Sequence, residues 1–278
     1  MRILFDQISH ATSKNITRTY STSFSMAIAL LENKIQQDVY NIYGFVRLAD
    51  EIVDTFHDQD KEKLLTQMIE QTWEAIEMKF SLNPVLYSFQ ETVHRYQIDH
   101  ELIRLFLESM EMDLNKHLYD QAKYEKYIVG SAEVVGLMCL KVFCYGNQES
   151  YDALRYSASR LGAAFQKINF LRDLKADYEG LGRTYFPNVS FSHFDEKAKR
   201  EIEEDIEKDF QDGFEGIKQL PKGSRFGVYV AYIYYYNLFD KIKKIHASRI
   251  MEERIRISDR RKYSLFMTSY IRNQIGFL

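Results

Sequence analysis

Cysteine, proline and clustered histidine are scarce in this chain, and each scarcity excludes a class of protein. The 278 residues include 2 cysteines. Cys139 and Cys144 lie five apart in an apolar helical stretch without partners at zinc spacing, so neither a disulfide framework nor a zinc site is indicated. Only 3 prolines and 12 glycines interrupt the chain. Between them, apolar residues recur at i, i+3 and i+4, which argues for long helices rather than strands. The 7 histidines form no HxxxH or HExxH pair, and neither GxGxxG nor a P-loop is present to cradle phosphate on backbone amides. A formal net charge of −3, with no basic run carrying interleaved aromatics, removes the electrostatic footprint of a nucleic-acid binder. The most apolar late stretch, Phe226–Phe239, is 14 residues long and rich in tyrosine, whereas a spanning helix needs about 20 apolar residues. The opening MRILFDQISHATSKN has too short an apolar run for a secretory signal and lacks transit-peptide composition. The expectation is a cytoplasmic chain without a membrane span.

The length suits one all-α domain over residues 1–278. Helical periodicity is expected over 4–15, 22–31, 35–56, 61–80, 84–95, 99–116, 124–143, 149–176, 195–219, 224–252 and 258–274. Loops are expected at Gln59–Lys61, Ser81–Pro84, Tyr178–Pro187 and Leu220–Gly223, where the prolines and several glycines fall. The dense charge of Asp195–Asp212 reads as a solvated helix face.

What is present in abundance is acid in two special places. DEIVD at Asp50–Asp54 and NFLRDLKAD at Asn169–Asp177 each carry aspartates four apart inside an apolar helical pattern. Positions i and i+4 share a helix face, so each cluster aims two carboxylates into one small volume. At about 100° per residue, Tyr43, Arg47, Asp50 and Asp54 form one stripe, and Gln166, Asn169, Asp173 and Asp177 form another, with Gly162 one turn earlier allowing a close approach. The neighbours of the first stripe are mostly apolar, and buried carboxylates must be paired or bound to metal. A lone DxxxD is usually surface charge. Two of them in apolar surroundings, each beside an arginine, point to diphosphate held on magnesium, an ion that bridges one or two carboxylates to substrate phosphates. Arg47, Arg172 and Arg183 are candidates to grip phosphate oxygens. Loss of diphosphate from an allylic carbon leaves a carbocation that needs a dry, aromatic pocket. The 20 tyrosines and 19 phenylalanines supply wall material, although the run at Tyr229–Phe239 reads more readily as ordinary core.

These residues resemble the squalene/phytoene synthase family of head-to-head prenyltransferases. The resemblance rests on LGAAFQKINFLRDLKADYEGLGRTYFP (Leu161–Pro187), on YGFVRLADEIVD (Tyr43–Asp54) and on YSTSF (Tyr20–Phe24), and extends to the C-terminal EERIRISDRRK. One departure stands out. In YIVGSAEVVG, Tyr127 and Gly136 match the family's middle signature, but Glu133 replaces a small residue and could add a carboxylate near the pocket or alter its wall.

The resemblance implies a single-domain isoprenoid-synthase-type helical bundle around a central active-site cavity. It implies Asp50, Asp54, Asn169, Asp173 and Asp177 as holders of Mg2+, with Mn2+ as a substitute. Tyr43, Arg47, Tyr127, Arg172 and Arg183 are implied as catalytic, and Ser21, Ser23, Phe24, Ile28, Gln166, Asn169 and Arg254 as substrate-binding. The implied reaction joins two prenyl diphosphates through a cyclopropylcarbinyl diphosphate. Phytoene from two geranylgeranyl diphosphates is the leading product. Squalene or dehydrosqualene from two farnesyl diphosphates is the alternative, with NADPH required only for squalene, and a non-catalytic scaffold is a remoter one. A long hydrocarbon product makes peripheral contact with the inner face of a membrane compatible with the absence of an anchor. The oligomeric state is not readable from the sequence.

Overall fold

The computed structural model describes residues 2–114, 119–181, 183–187, 194–252, 254–258, 262, 265 and 268–269. The helices are α1 (Arg2–Tyr20), α2 (Thr22–Ile28), α3 (Asn33–Asp54), α4 (Lys61–Met78), α5 (Pro84–Tyr96), α6 (His100–Asp113), α7 (Gln121–Ile128), α8 (Val134–Phe143), α9 (Gln148–Ala176), α10 (Glu196–Gln219), α11 (Lys222–Lys243) and α12 (Ala247–Ile250). No strand forms among the described residues. The starts are written locally. Asp60, Asn83, Asp99, Asp120, Asn147 and Asp195 each accept a hydrogen bond from a backbone N–H in the first turn that follows, which satisfies an otherwise orphaned donor and is worth about 1 kcal/mol per cap. Lys79 and Gln97 end α4 and α5 in the left-handed region, at φ 52° and 50°.

The apolar faces bury into two clusters. One gathers α3, α4, α5, α6 and α8 around Phe45, which stacks on Phe89 at 3.8 Å. The other gathers α9, α10 and α11 around Phe210 and Phe239. A large cavity lies between them, walled by residues of both. The longest helix, α9, has 29 residues and so spans about 43 Å, forming one side of the cavity along most of that length.

Three expected helices are modified by tertiary contacts. The stretch expected over 124–143 contains a π-helical segment, Val129–Glu133. At Gly130 a Cβ would lie 2.6 Å from the Leu105 carbonyl oxygen, so α6 approaches the backbone there and the turn widens. The stretch expected over 22–31 stops at Ile28, and the one expected over 224–252 breaks after Lys243, with His246 capping a separate α12. The first part of the loop expected at Tyr178–Pro187 is a second π-helical segment, Asp177–Leu181. The helix expected over 258–274 lies almost wholly outside the described residues.

Candidate active site

The cavity encloses about 1520 Å³, against the ~300–1,000 Å³ usual for a drug-sized ligand. Its two ends differ chemically because each helix changes character along its length. Asp50 and Asp54 lie at the C-terminal end of α3, Asp173 in the last turn of α9 and Asp177 just after it, while earlier turns offer Val39 and Ile42 from α3 and Leu154, Ala158 and Leu161 from α9. From Asp173 back to Leu154 is 19 residues of one helix, or about 28 Å. The space is therefore a long apolar channel with an acidic head. Gly162 allows the channel wall to close up: a Cβ there would lie 2.7 Å from the Ala132 carbonyl oxygen.

At the head, α3 presents Tyr43, Arg47, Asp50 and Asp54 to the cavity. The Arg47 guanidinium bonds both Asp50 and Glu51 and lies over the Tyr20 ring, 4.5 Å from its centroid. Tyr20 donates to Glu51 Oε2 at 3.1 Å. The Asp50 side chain keeps 31% exposure, but that surface faces the cavity. Its removal from bulk solvent, reinforced by the Asp54 charge and opposed by Arg47, pushes the carboxyl up to about 7.

The second motif lies opposite. Asn169 donates to Gln166 Oε1 at 3.3 Å and accepts from the Tyr235 hydroxyl at 3.4 Å. Asp173 is gripped by Arg172 through Nε at 3.0 Å and by Arg254 Nε at 2.6 Å. Asp177 is pushed up to about 7 by burial, then by Asp173, and then by Asp54 on the other helix. Both motifs line the same cavity.

A direct bridge joins them. Arg183 follows the second π-helical segment, donates its backbone N–H to the Asp177 carbonyl at 3.0 Å, and reaches back to Asp54 Oδ1 with Nη1 at 2.7 Å. Its Nη2 donates to the carbonyls of Asp113 at 2.7 Å and Val53 at 3.3 Å. Arg183 is 5% exposed and does not line the cavity. Its donors are committed to protein oxygens, so the expectation of an open phosphate contact is corrected to that of a positioning group beneath Asp54. Lys61 supports the same corner by donating to the Val53 carbonyl at 2.8 Å.

Asp113 was not legible as a site residue. It closes α6, lines the cavity, and accepts from Tyr127 at 2.5 Å and from Tyr119 and Tyr185 at 3.3 Å each. Burial raises its carboxyl to about 6 although Arg183 pulls the other way. A signal existed: Phe106, Met110 and Asp113 share one helical face, and an acid in a last helical turn opposes the macrodipole.

The remaining expected residues, Ser21, Ser23, Phe24, Ile28, Tyr43, Arg47, Tyr127, Gln166, Asn169, Arg172 and Arg254, all line the cavity with the four motif aspartates. Ser21 caps α2 by accepting from the Phe24 N–H at 3.3 Å. Within the tyrosine run, Tyr229 and Phe239 pack into the core without lining the cavity, whereas Tyr235, part of the same buried cluster, also lines it, stacking on Phe165 at 4.1 Å and meeting Phe24 at 5.8 Å. Phe165 and Tyr235 are thus site residues that periodicity alone did not separate from core. Glu133 is a further correction. It does not line the cavity; it points outward to Arg160, which also meets Asp209 at 3.3 Å, and Asp209 in turn binds Lys167 at 2.6 Å. The departure at Glu133 fastens the π-helical segment and α9 to α10 and leaves the cavity wall without a new charge.

Among the described residues, no group of three or more acidic, histidine or cysteine side chains converges as a ready-made metal site. The donor set still suits a divalent ion shared with phosphate. Magnesium needs only one or two carboxylates when substrate oxygens and water complete its shell. Burial, reinforced by neighbouring aspartates, already raises Asp50 and Asp177, and a cation between the motifs would relieve the repulsive part.

Residues 17–261 match the family model described as squalene/phytoene synthase. Among curated proteins, the chain is 28% identical over 172 residues to a presqualene diphosphate synthase of Rhodopseudomonas palustris, covering 60% of this chain and 58% of that protein. It is 24% identical over 192 residues to a 4,4'-diapophytoene synthase of Staphylococcus haemolyticus, covering 68% and 66%. The matches therefore span somewhat less than two thirds of these relatives. The crystal structure of a dehydrosqualene synthase in complex with ligand superposes with a TM-score of 0.83 at 22% identity, covering 97% of this chain and 98% of that one, and shows a common fold.

Proposed function

We propose, because this chain belongs to the squalene/phytoene synthase family, that it is a prenyltransferase joining two prenyl diphosphates head to head. The observation that carries the reading is the pair of facing aspartate motifs at the head of a long apolar channel walled by Phe24, Phe165 and Tyr235. Asp50, Asp54, Asp173, Asp177 and Asn169 would hold Mg2+, which when bound neutralises charge on departing diphosphate. Arg47, Arg172 and Arg254 orient phosphate oxygens by charge-assisted hydrogen bonds. The C1–O bond of one substrate breaks, its electron pair leaving with diphosphate. The C2=C3 electrons of the other substrate attack the allylic cation, and loss of a proton closes a cyclopropylcarbinyl diphosphate. Its own diphosphate then departs, the cation rearranges to a 1-1′ linkage, and a second proton is lost. Ring faces stabilise these cations. No histidine or glutamate lines the cavity among the described residues, which supports released diphosphate as the base.

Two geranylgeranyl diphosphates, giving phytoene, are the favoured substrates. The support is Ile28, which lines the channel one turn past Phe24 and is slimmer than an aromatic residue. Similarity to a protein named presqualene diphosphate synthase favours, as second reading, a C30 product from farnesyl diphosphate. Purified protein with Mg2+ and either substrate, with and without NADPH, distinguishes them by hydrocarbon chromatography. A C40 product without NADPH is expected, and an exclusive C30 product would transfer the assignment. Ile28→Phe is expected to lower C20 use about tenfold relative to C15, within the 10–200-fold range that small steric changes in an apolar pocket produce. Unchanged C20 use would remove Ile28 from the argument.

A further inference from the structure

Arg47 is held from two sides, and one of those sides lies outside the cavity. Its Nη1 donates to Asp50 and its Nη2 to Glu51. Tyr20, Arg47 and Asp50 line the cavity, whereas Glu51, which is buried, does not. Arg47 and Glu51 stand four residues apart on α3 and are therefore neighbours, but Glu51 lies about 100° round the helix from Asp50. Both Glu51 oxygens are occupied. Oε1 accepts from Arg47, and Oε2 accepts from the Tyr20 hydroxyl at 3.1 Å. The Tyr20 ring in turn lies over the guanidinium, with Cζ 4.5 Å from its centroid, so Tyr20, Glu51 and Arg47 close a ring of contacts between the last residue of α1 and α3. The Arg47 Nε is buried without a hydrogen-bond partner among the described residues, and a buried donor of that kind marks a site that a ligand, ion or water completes.

We infer that Glu51 is a positioning residue: with Tyr20 it holds the Arg47 guanidinium in register for a diphosphate oxygen, and it is not a metal ligand although it stands inside the first acidic motif. The inference rests on the proposed reading of Arg47 as a phosphate-orienting group. Its support is the division of duties among three carboxylates. Asp50 and Asp54 line the cavity and are open to a cation, whereas Glu51 meets the guanidinium from outside the cavity and is left to anchor it. With Asp50 engaged by a cation, Nη1 becomes available to phosphate while Nη2 keeps Glu51. A guanidinium presents its donors in a rigid fork, so fixing Nη2 fixes the direction of Nη1. Without the anchor the arginine regains rotamer freedom that phosphate binding would have to remove.

The test is calorimetric titration of the full chain with Mg2+ alone and then, at saturating Mg2+, with inorganic diphosphate. Glu51→Gln is expected to leave Mg2+ affinity little changed and to weaken diphosphate binding about tenfold, the scale of one charge-assisted hydrogen bond. The sign is diagnostic. Removing a negative charge beside an anion site would by charge alone tighten binding, so weaker binding identifies positioning. Tyr20→Phe, which keeps the ring and breaks no ion pair, should weaken binding about threefold and stands alone as a test if Glu51→Gln proves unstable. Arg47→Met should itself weaken diphosphate binding at least about tenfold, and adding Glu51→Gln to it should cause no further weakening, because the two act as one unit. Unchanged or tighter diphosphate binding in Glu51→Gln, an unaffected Tyr20→Phe, or further weakening in the double variant would each overturn the inference. So would a fall in Mg2+ affinity of about tenfold or more in Glu51→Gln, which would put Glu51 in the shell of the metal. Parent-like diphosphate binding by Arg47→Met would overturn the reading of Arg47 as well, whereas a weakened Arg47→Met with an unaffected Glu51→Gln would overturn the positioning role alone.

Discussion

Replacing Arg183 by methionine keeps most of the side-chain volume and removes a cation that joins the two motifs. In the parent, Arg183 donates to Asp54 and to the Asp113 carbonyl at 2.7 Å each, and its Nε lies 3.6 Å from the Asp113 carboxylate. Without it, Asp113 keeps only the hydroxyls of Tyr119, Tyr127 and Tyr185. Breaking a buried ion pair by removing one partner costs about 3–5 kcal/mol. Asp54 is 30% exposed on its side chain and retains solvation, so the lower value, about 3 kcal/mol, is expected at pH 7.5. For a protein near this size that lowers Tm by roughly 6–12 °C. The loss should depend on pH in a defined direction. The folded-state pKa of Asp113 is raised to about 6. Its favourable contribution is thus complete below pH ~4 and lost as pH rises through about 6. In the variant the carboxyl loses the cation that held it down and titrates higher. At pH 5.5 it protonates, and the penalty should shrink to less than half. Scanning calorimetry at both pH values, repeated on Arg183→Met/Asp113→Asn, measures this, and the second substitution should recover about 1–2 kcal/mol. A Tm within 2 °C of the parent at pH 7.5, or no recovery in the double variant, would refute the assignment of Arg183 as the bridge.

Magnesium binding should release protons, because Asp50 and Asp177 titrate near 7 in the metal-free protein and ligate only when ionised. Their raised pKa values mean that metal-free stability falls as pH climbs from about 4 through 7, whereas Mg2+ affinity rises about 100-fold between pH 6 and 8 if both deprotonate. Calorimetric titration in buffers of different ionisation enthalpy reads the proton count directly, and a count of zero would exclude these two carboxylates as ligands. Glu133→Gln should cost about 1–3 kcal/mol of stability by loosening the Arg160 and Asp209 network, measured by thermal unfolding, with the product profile unchanged. An altered product would mean that Glu133 reaches the channel after all.

The helical class, most helix starts and both acidic stripes were legible because they are local. Periodicity at 3.6 residues, aspartate or asparagine before six of the helices, and carboxylates four apart are short-range facts of chain geometry. Asp113 was missed because its partners, Tyr127, Tyr185 and Arg183, come from other segments, and no spacing within α6 announces them. Tyr235 and Tyr229 share one apolar run and one buried cluster, and only the packing of α11 also brought the first to the cavity wall.

What the sequence by itself determined is the inventory: a breaker-poor all-helical chain that places two pairs of aspartates, each with an arginine, on helical faces. The tertiary structure decided which charges meet. It turned Glu133 outward into an ion-pair network, drew Arg183 under Asp54 as a strut, and tied Lys241 to the backbone carbonyl of Arg256. The physical reason is range. Helix periodicity fixes side-chain direction about one axis, while the pairing of buried charges depends on how neighbouring axes pack and on which carboxylates their approach removes from water.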